Sequence, residues 1–148
     1  MSLSLEPAFT LTVALGEPRA VGRTHAGLRR VIPITGGTVE GPLLTGSVLP
    51  GGADWNVVRP DGAVHVWARY EISTADGYVM SVLNEGLGTA TGRTAAGLPL
   101  GWSCPTRPQF EVPEGGPTWL ATGFFVGELL PPSGADVATI EVHRVRTA

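Results

Sequence analysis

The stretch Val64-His65-Val66-Trp67-Ala68-Arg69-Tyr70-Glu71-Ile72-Ser73 decides how this chain folds. Val64, Val66, Ala68, Tyr70 and Ile72 fall on one side of it, and His65, Trp67, Arg69, Glu71 and Ser73 on the other. Such a sustained period of two marks a β-strand with one buried face. The stretch is bracketed by Pro60-Asp61-Gly62 and Ala75-Asp76-Gly77. Each bracket suits a three-residue hairpin loop, a type I turn followed by glycine at positive φ. A strand with a tight turn at each end sits in the middle of an antiparallel sheet.

Working outward, the same alternation recurs. Phe9, Leu11, Val13 and Leu15 share a face, and Leu28 to Ile34, Leu43 to Leu49, Asp54 to Arg59 and Tyr78 to Asn84 read as further strands. Thr118 to Val126 and Val137 to Val145 are expected to be the last two. Glu85 to Gln109 breaks the pattern with Gly, Thr and Pro, and leaves room for a short helix near Arg93 to Leu98. A loop of that length serves as a lid, a binding loop or a plain crossover. Evenly spaced strands and turns mean a β-sandwich or an antiparallel barrel, and we favour the barrel because closure removes exposed edges.

Composition sets the outer bounds. The chain has 148 residues, 43% hydrophobic and 16% charged, which fits one globular domain spanning 1–148. Glycine (21) and proline (13) are scattered, as turns between short strands require. There is no lysine, and with the wealth of Ala, Gly, Pro and Val this points to a GC-rich genome. The net charge of −3 and the lack of any basic cluster beyond Arg29-Arg30 argue against nucleic acid and anionic membranes as partners. A single cysteine, Cys104, excludes an intramolecular disulfide and a multi-thiolate metal site. His25, His65 and His143 are scattered, so no metal site and no cofactor are expected. No signal peptide or membrane span is legible, which makes the cytoplasm the expected location.

The two hairpin loops also fix register. The first pairs Arg59 with Ala63, which places Asp54 opposite Ala68; the second pairs Thr74 with Tyr78, which places Ala68 opposite Asn84. Asp54, Ala68 and Asn84 then form a row across three strands, its ends ~9–10 Å apart. Asn56, Val66, Tyr70, Met80 and Val82 share that face, which is mostly apolar with a few convergent polar groups, as in a ligand cavity. Trp55, His65, Trp67, Arg69, Glu71 and Ser81 take the other face, where Trp55 and Trp67 point to a homodimer contact. A register slip of one residue would turn Asp54 outward.

These residues carry a family resemblance. Gly36-Gly37, Gly41-Pro42, Gly46 and Pro50-Gly51-Gly52-Ala53-Asp54-Trp55, then Arg59, Asp61-Gly62, Ala68-Arg69-Tyr70, Asp76-Gly77 and Asn84 with Gly86, resemble the domain of unknown function 3237 family. Arg29 or Arg30 looks like its early arginine, and Phe110-Glu111, Trp119-Leu120 and Phe125-Val126 look like its C-terminal marks. The resemblance covers nearly the whole chain. It implies a single antiparallel β-barrel similar to calycin and allene-oxide-cyclase barrels, all-β with little helix, and no general activity. The chain departs from the usual pattern at Trp102-Ser103-Cys104-Pro105, where an aromatic-rich segment is more typical.

The expected function follows from the cavity face. An acid in an apolar cavity has its pKa pushed upward, toward working pH, so Asp54 is the candidate to move a proton; its bland reading is a cap on backbone amides. Tyr70 and Asn84 are candidates to hold a developing oxyanion. Arg29 and Arg30 face opposite sides of their strand, and whichever enters the barrel is placed to bind a substrate carboxylate. Asn56, Ala68, Met80 and Trp119 complete the expected substrate wall. The reading is a metal-independent enzyme of the isomerase, cyclase or lyase type, working on a small organic molecule beside a carbonyl. A natural-product or aromatic-compound pathway fits the GC-rich origin. The alternatives are a lipocalin-like binding protein without turnover and a barrel with a filled interior.

Overall fold

Strand edges that cannot stay open account for the architecture. The computed structural model describes residues 2–134 and 136–148. Its strands are β1 Leu3–Leu15, β2 Arg19–Thr24, β3 Gly27–Glu40, β4 Gly46–Val48, β5 Ala53–Val58, β6 Val64–Thr74, β7 Val79–Gly88, β8 Gly92–Arg93, β9 Pro99–Leu100, β10 Pro105–Glu111, β11 Phe125–Leu129 and β12 Val137–Thr147. One helical turn, α1, covers Thr118–Thr122. Among the described residues no helix is long and apolar enough to cross a membrane.

The antiparallel ladder runs β1–β12–β11–β10–β7–β6, then through β4 and β5 to β3. It closes where Thr10–Leu15 of β1 pair with Ile34–Glu40 of β3. β4 and β5 both bridge β3 and β6 at different levels, so they form one broken stave and the barrel has eight. The break falls at Pro50-Gly51-Gly52. Gly51 has φ of 117°, a left-handed conformation that side chains rarely adopt. A Cβ on Gly52 would collide with the Arg69 carbonyl and the Tyr70 side chain, so the glycine lets β5 close onto β6 beside Tyr70.

Both expected hairpins are present. Arg59 N–H donates to Ala63 O and Thr74 N–H to Tyr78 O, each at 2.8 Å. Asp54 stands opposite Ala68, and Ala68 opposite Asn84. Phe9, Phe110 and Phe125 meet edge to face with centroids 5.2–5.8 Å apart and fill one end of the barrel with Leu120, Ile72 and Met80. The other end is open.

Four expectations need correction. Thr118–Thr122 is a helical turn, and the strand begins only at Phe125; Pro117 and Gly123 mark the boundaries, but one turn is too short to display a 3.6-residue period. Arg93 to Leu98 is not helical: β8 and β9 form a two-pair hairpin there. The supposed loop Glu85 to Gln109 contains the end of β7 and most of β10. Pro105 and Pro108 hid β10, yet its pairing to β11 ends at Thr106, and Pro108 lies beyond it on a stretch where a missing N–H is tolerated. Finally, Leu43 to Leu49 supplies only three strand residues, Gly46–Val48.

Candidate active site

The open end leads into two connected cavities. An outer vestibule of ≈ 430 Å³ narrows to an inner chamber of ≈ 60 Å³, and Leu15, Ile32, Asp54, Val66, Leu129 and Ala138 line both. The barrel's rows stack the polar groups by depth. Arg30 faces Asn56 nearest the mouth, Ile32 faces Asp54 next, and Tyr70, two residues beyond Ala68, lies deepest.

Asp54 is at the waist. Its Oδ1 accepts from Trp67 N–H at 2.9 Å and its Oδ2 from Asn56 Nδ2 at 3.4 Å. The β5–β6 ladder continues on either side, at Asp54–Ala68 and Val57–His65, but Trp55 and Trp67 do not pair within it. Instead the Asp54 carboxylate takes the Trp67 N–H, and the Arg29 guanidinium donates to Trp55 O at 2.8 Å. The strands are thus parted over two pairs, Trp55–Trp67 and Asn56–Val66, and the acid's carboxylate reaches into that gap. On the outer face the same two indoles meet edge to face at 5.8 Å.

Electrostatics tune this acid upward. Desolvation raises its pKa above the ordinary 3.8, and the Trp67 and Asn56 hydrogen bonds, with the Arg30 and His65 charges, offset that only in part. Each carboxylate oxygen accepts one bond and keeps a lone pair for a proton. Burial also pushes the Tyr70 phenol upward, so its hydroxyl stays protonated and can donate. The Cys104 thiol is pushed up to about 11 by burial and by the nearby Asp54 charge, which leaves it un-ionised at neutral pH.

The chamber contains polar atoms that lack partners. Tyr70 Oη, Asn84 Oδ1 and Thr106 Oγ1 are buried without a hydrogen bond, and all three residues line the chamber with Asp54. Buried polar groups are nearly always satisfied, so three such atoms around one chamber are unusual.

The structure gathers Asp54, Tyr70, Asn84 and Ala68 around the chamber, and Arg30 and Asn56 along the vestibule. Arg30 is the inward arginine; Arg29 is spent on the Trp55 carbonyl. Met80 sits in the packed core below, and Trp119 lies in α1 against Phe125, with Arg144 over its ring. Neither lines the chamber or the vestibule. Thr106 and Trp102 were not anticipated. Thr106 enters on β10 opposite Gly86 and Gly127, whose missing side chains leave room for it. Trp102 lines the vestibule and donates from Nε1 to Leu129 O at 2.9 Å. Thr106, Pro108 and Phe110 alternate with Arg107, Gln109 and Glu111, and that period of two was the signal for the strand.

Comparison with known proteins places this geometry among relatives. Residues 3–145 match the family model described as "Protein of unknown function (DUF3237)". A UPF0311 protein of Rhodopseudomonas palustris (strain TIE-1) is 34% identical over 151 residues, covering 97% of each chain. A β-barrel-like protein of Acinetobacter baumannii, solved as a crystal structure, superposes with a TM-score of 0.88 at 27% identity, over 99% of this chain and 98% of that one. A protein from Penicillium herquei described as an enzyme shares the fold with a TM-score of 0.69 at 20% identity, over 96% of both chains.

Proposed function

The chain belongs to the DUF3237 family, whose model it matches almost end to end, and we propose that its barrel is a cofactor-independent enzyme that moves a proton on a small carbonyl compound. One observation carries this reading. A desolvated carboxylate, Asp54, borders a chamber in which three buried polar atoms have no partner. That a protein of the same fold is described as an enzyme supports the barrel as a host for catalysis and no more.

In this reading Asp54 takes a proton from a C–H beside the carbonyl, or from a hydroxyl conjugated with it. The electron pair moves onto the carbonyl oxygen, which Tyr70 Oη–H stabilises as it becomes an oxyanion. The Asn84 amide and Thr106 hydroxyl offer further bonds to the same oxygen or its neighbour. Protonated Asp54 then returns the proton to another atom. Return to a different carbon is isomerisation, closure of an internal hydroxyl onto the conjugated system is cyclisation, and departure of a β-substituent is elimination. No electrons are exchanged with a second reagent. Raising the pKa of Asp54 matches its strength as a base to a weakly acidic C–H.

The test needs no known substrate. Cyclic ketones and hydroxyaryl ketones incubated with the protein in D₂O should exchange α-protons, followed by NMR. Asp54→Asn should slow that exchange by about 10²–10⁴-fold, and exchange indifferent to the substitution would overturn the proposal. A second reading is a binding protein without turnover. The hydrogen bonds already made by both carboxylate oxygens favour it. Under it, Asp54→Asn weakens ligand affinity and no exchange is seen in either protein.

A further inference from the structure

We propose that the ligand is an organic acid, its carboxylate received by the Arg30 guanidinium on the vestibule wall while its reactive end reaches Asp54. The inference deepens the catalytic reading and rests on it for which end of the molecule enters first.

Arg30 is a cation without a direct ion-pair partner among the described residues. Its Nη2 donates to Asn56 Oδ1 at 2.9 Å, a neutral acceptor, and its Nε–H is buried without an acceptor. A guanidinium keeps its charge at physiological pH, and holding one in a partly desolvated wall is costly unless an anion meets it.

Asp54 does not supply that anion directly. Asn56 stands between the two, accepting from Arg30 with Oδ1 and donating to Asp54 with Nδ2. The amide orientation is dictated by its neighbours, since a guanidinium only donates and a carboxylate only accepts. A direct Arg–Asp pair would neutralise both residues. The interposed amide keeps the acid free to titrate and the cation free to bind.

The remaining charges point the same way. Among the described residues lining the vestibule, the ionisable side chains are Arg30, Arg93 and Asp54. Arg93 lies at the exposed rim, with Nη1 on Gly97 O at 3.0 Å. Two cations and one acid favour an anionic guest, and the apolar wall of Ile32, Val66 and Leu129 asks that the rest of it be apolar. Spacing sets its length. Arg30 and Asn56 stand two residues along their strands from Ile32 and Asp54, roughly 7 Å. The carboxylate should therefore lie about five or six bonds from the atom that yields its proton.

Calorimetric titration of a probe series tests this: 3-phenylpropanoate, 4-phenylbutanoate, 5-phenylpentanoate and 6-phenylhexanoate, each against its primary amide. At least one acid should bind about 10-fold or more tightly than its amide. Arg30→Gln should erase that preference and leave the amide's affinity unchanged, and Arg30→Lys should restore part of it. Arg93→Gln and Asp54→Asn should retain it, with thermal melts confirming that each variant is folded. If no acid binds more tightly than its amide to the wild-type protein, the inference is overturned whatever the variants do. A preference that survives Arg30→Gln, or disappears with Arg93→Gln, overturns it too. An acid preference without α-proton exchange upholds the carboxylate site and removes the catalytic reading; exchange without the preference does the reverse.

Discussion

Removing the Tyr70 hydroxyl should make the protein more stable and less active. The usual buried Tyr→Phe change costs stability because the hydroxyl had a partner. Here Tyr70 is 3% exposed and its Oη has none. An unsatisfied buried polar group costs about 1–3 kcal/mol, and Phe keeps the ring's volume and packing. The chamber of ≈ 60 Å³ has room for water, which compensates part of that penalty and favours the lower end, about 1 kcal/mol. For 148 residues the unfolding entropy near the midpoint is about 0.3 kcal/mol/K, so the ligand-free Tm should rise by about 3 °C. Differential scanning calorimetry of both proteins in the same buffer reads this directly. The α-proton exchange of the same variant should fall by about 10²–10³-fold, the usual loss when one oxyanion donor is removed. Opposite signs in the two assays are the signature of a group strained for function. A fall in Tm would refute the reasoning, because it would show that the hydroxyl is already satisfied in the free protein.

Two further outcomes follow from the buried acid and thiol. Asp54 has a folded-state pKa above its ordinary 3.8, so the folded state binds more protons than the unfolded one between those two values. Its contribution is therefore fully present below the ordinary value and lost as pH rises through the folded value. Urea unfolding across pH should show wild type losing stability relative to Asp54→Asn as pH rises through that window; a wild type that gains would reverse the sign and contradict the burial argument. Cys104 is 1% exposed with its pKa pushed up to about 11, so only about one thousandth is thiolate at pH 8. Iodoacetamide at pH 8 should leave the native protein unmodified by mass spectrometry and label it fully in denaturant, and rapid native labelling would show that the thiol is reachable.

What the sequence determined by itself was local. The period-two face of β6 and the loops at Asp61-Gly62 and Asp76-Gly77 place Asp54, Ala68 and Asn84 in one row, because a tight turn fixes the register of the strands beside it. Tyr70 follows, since it lies two residues from Ala68 on the same face. The spaced glycines, Asp54-Trp55 and the aromatic marks were enough to suggest the family. Tertiary structure decided the rest. Nothing in Arg29-Arg30 says which side chain turns inward until β3 is paired to β5 and curved into a barrel. Thr106 reaches the chamber only because β10, masked by its prolines, docks on β7 far away in sequence. Trp119 leaves the expected strand because Pro117 and Gly123 bound a single turn. Closure itself, β1 onto β3, is a long-range pairing, driven by edges that must find partners. It creates the chamber, and with it the desolvation that raises Asp54 and the unpartnered hydroxyls that face it. Periodicity and turn chemistry act between neighbours in the chain, whereas a cavity is made by residues that meet only after the sheet has come full circle.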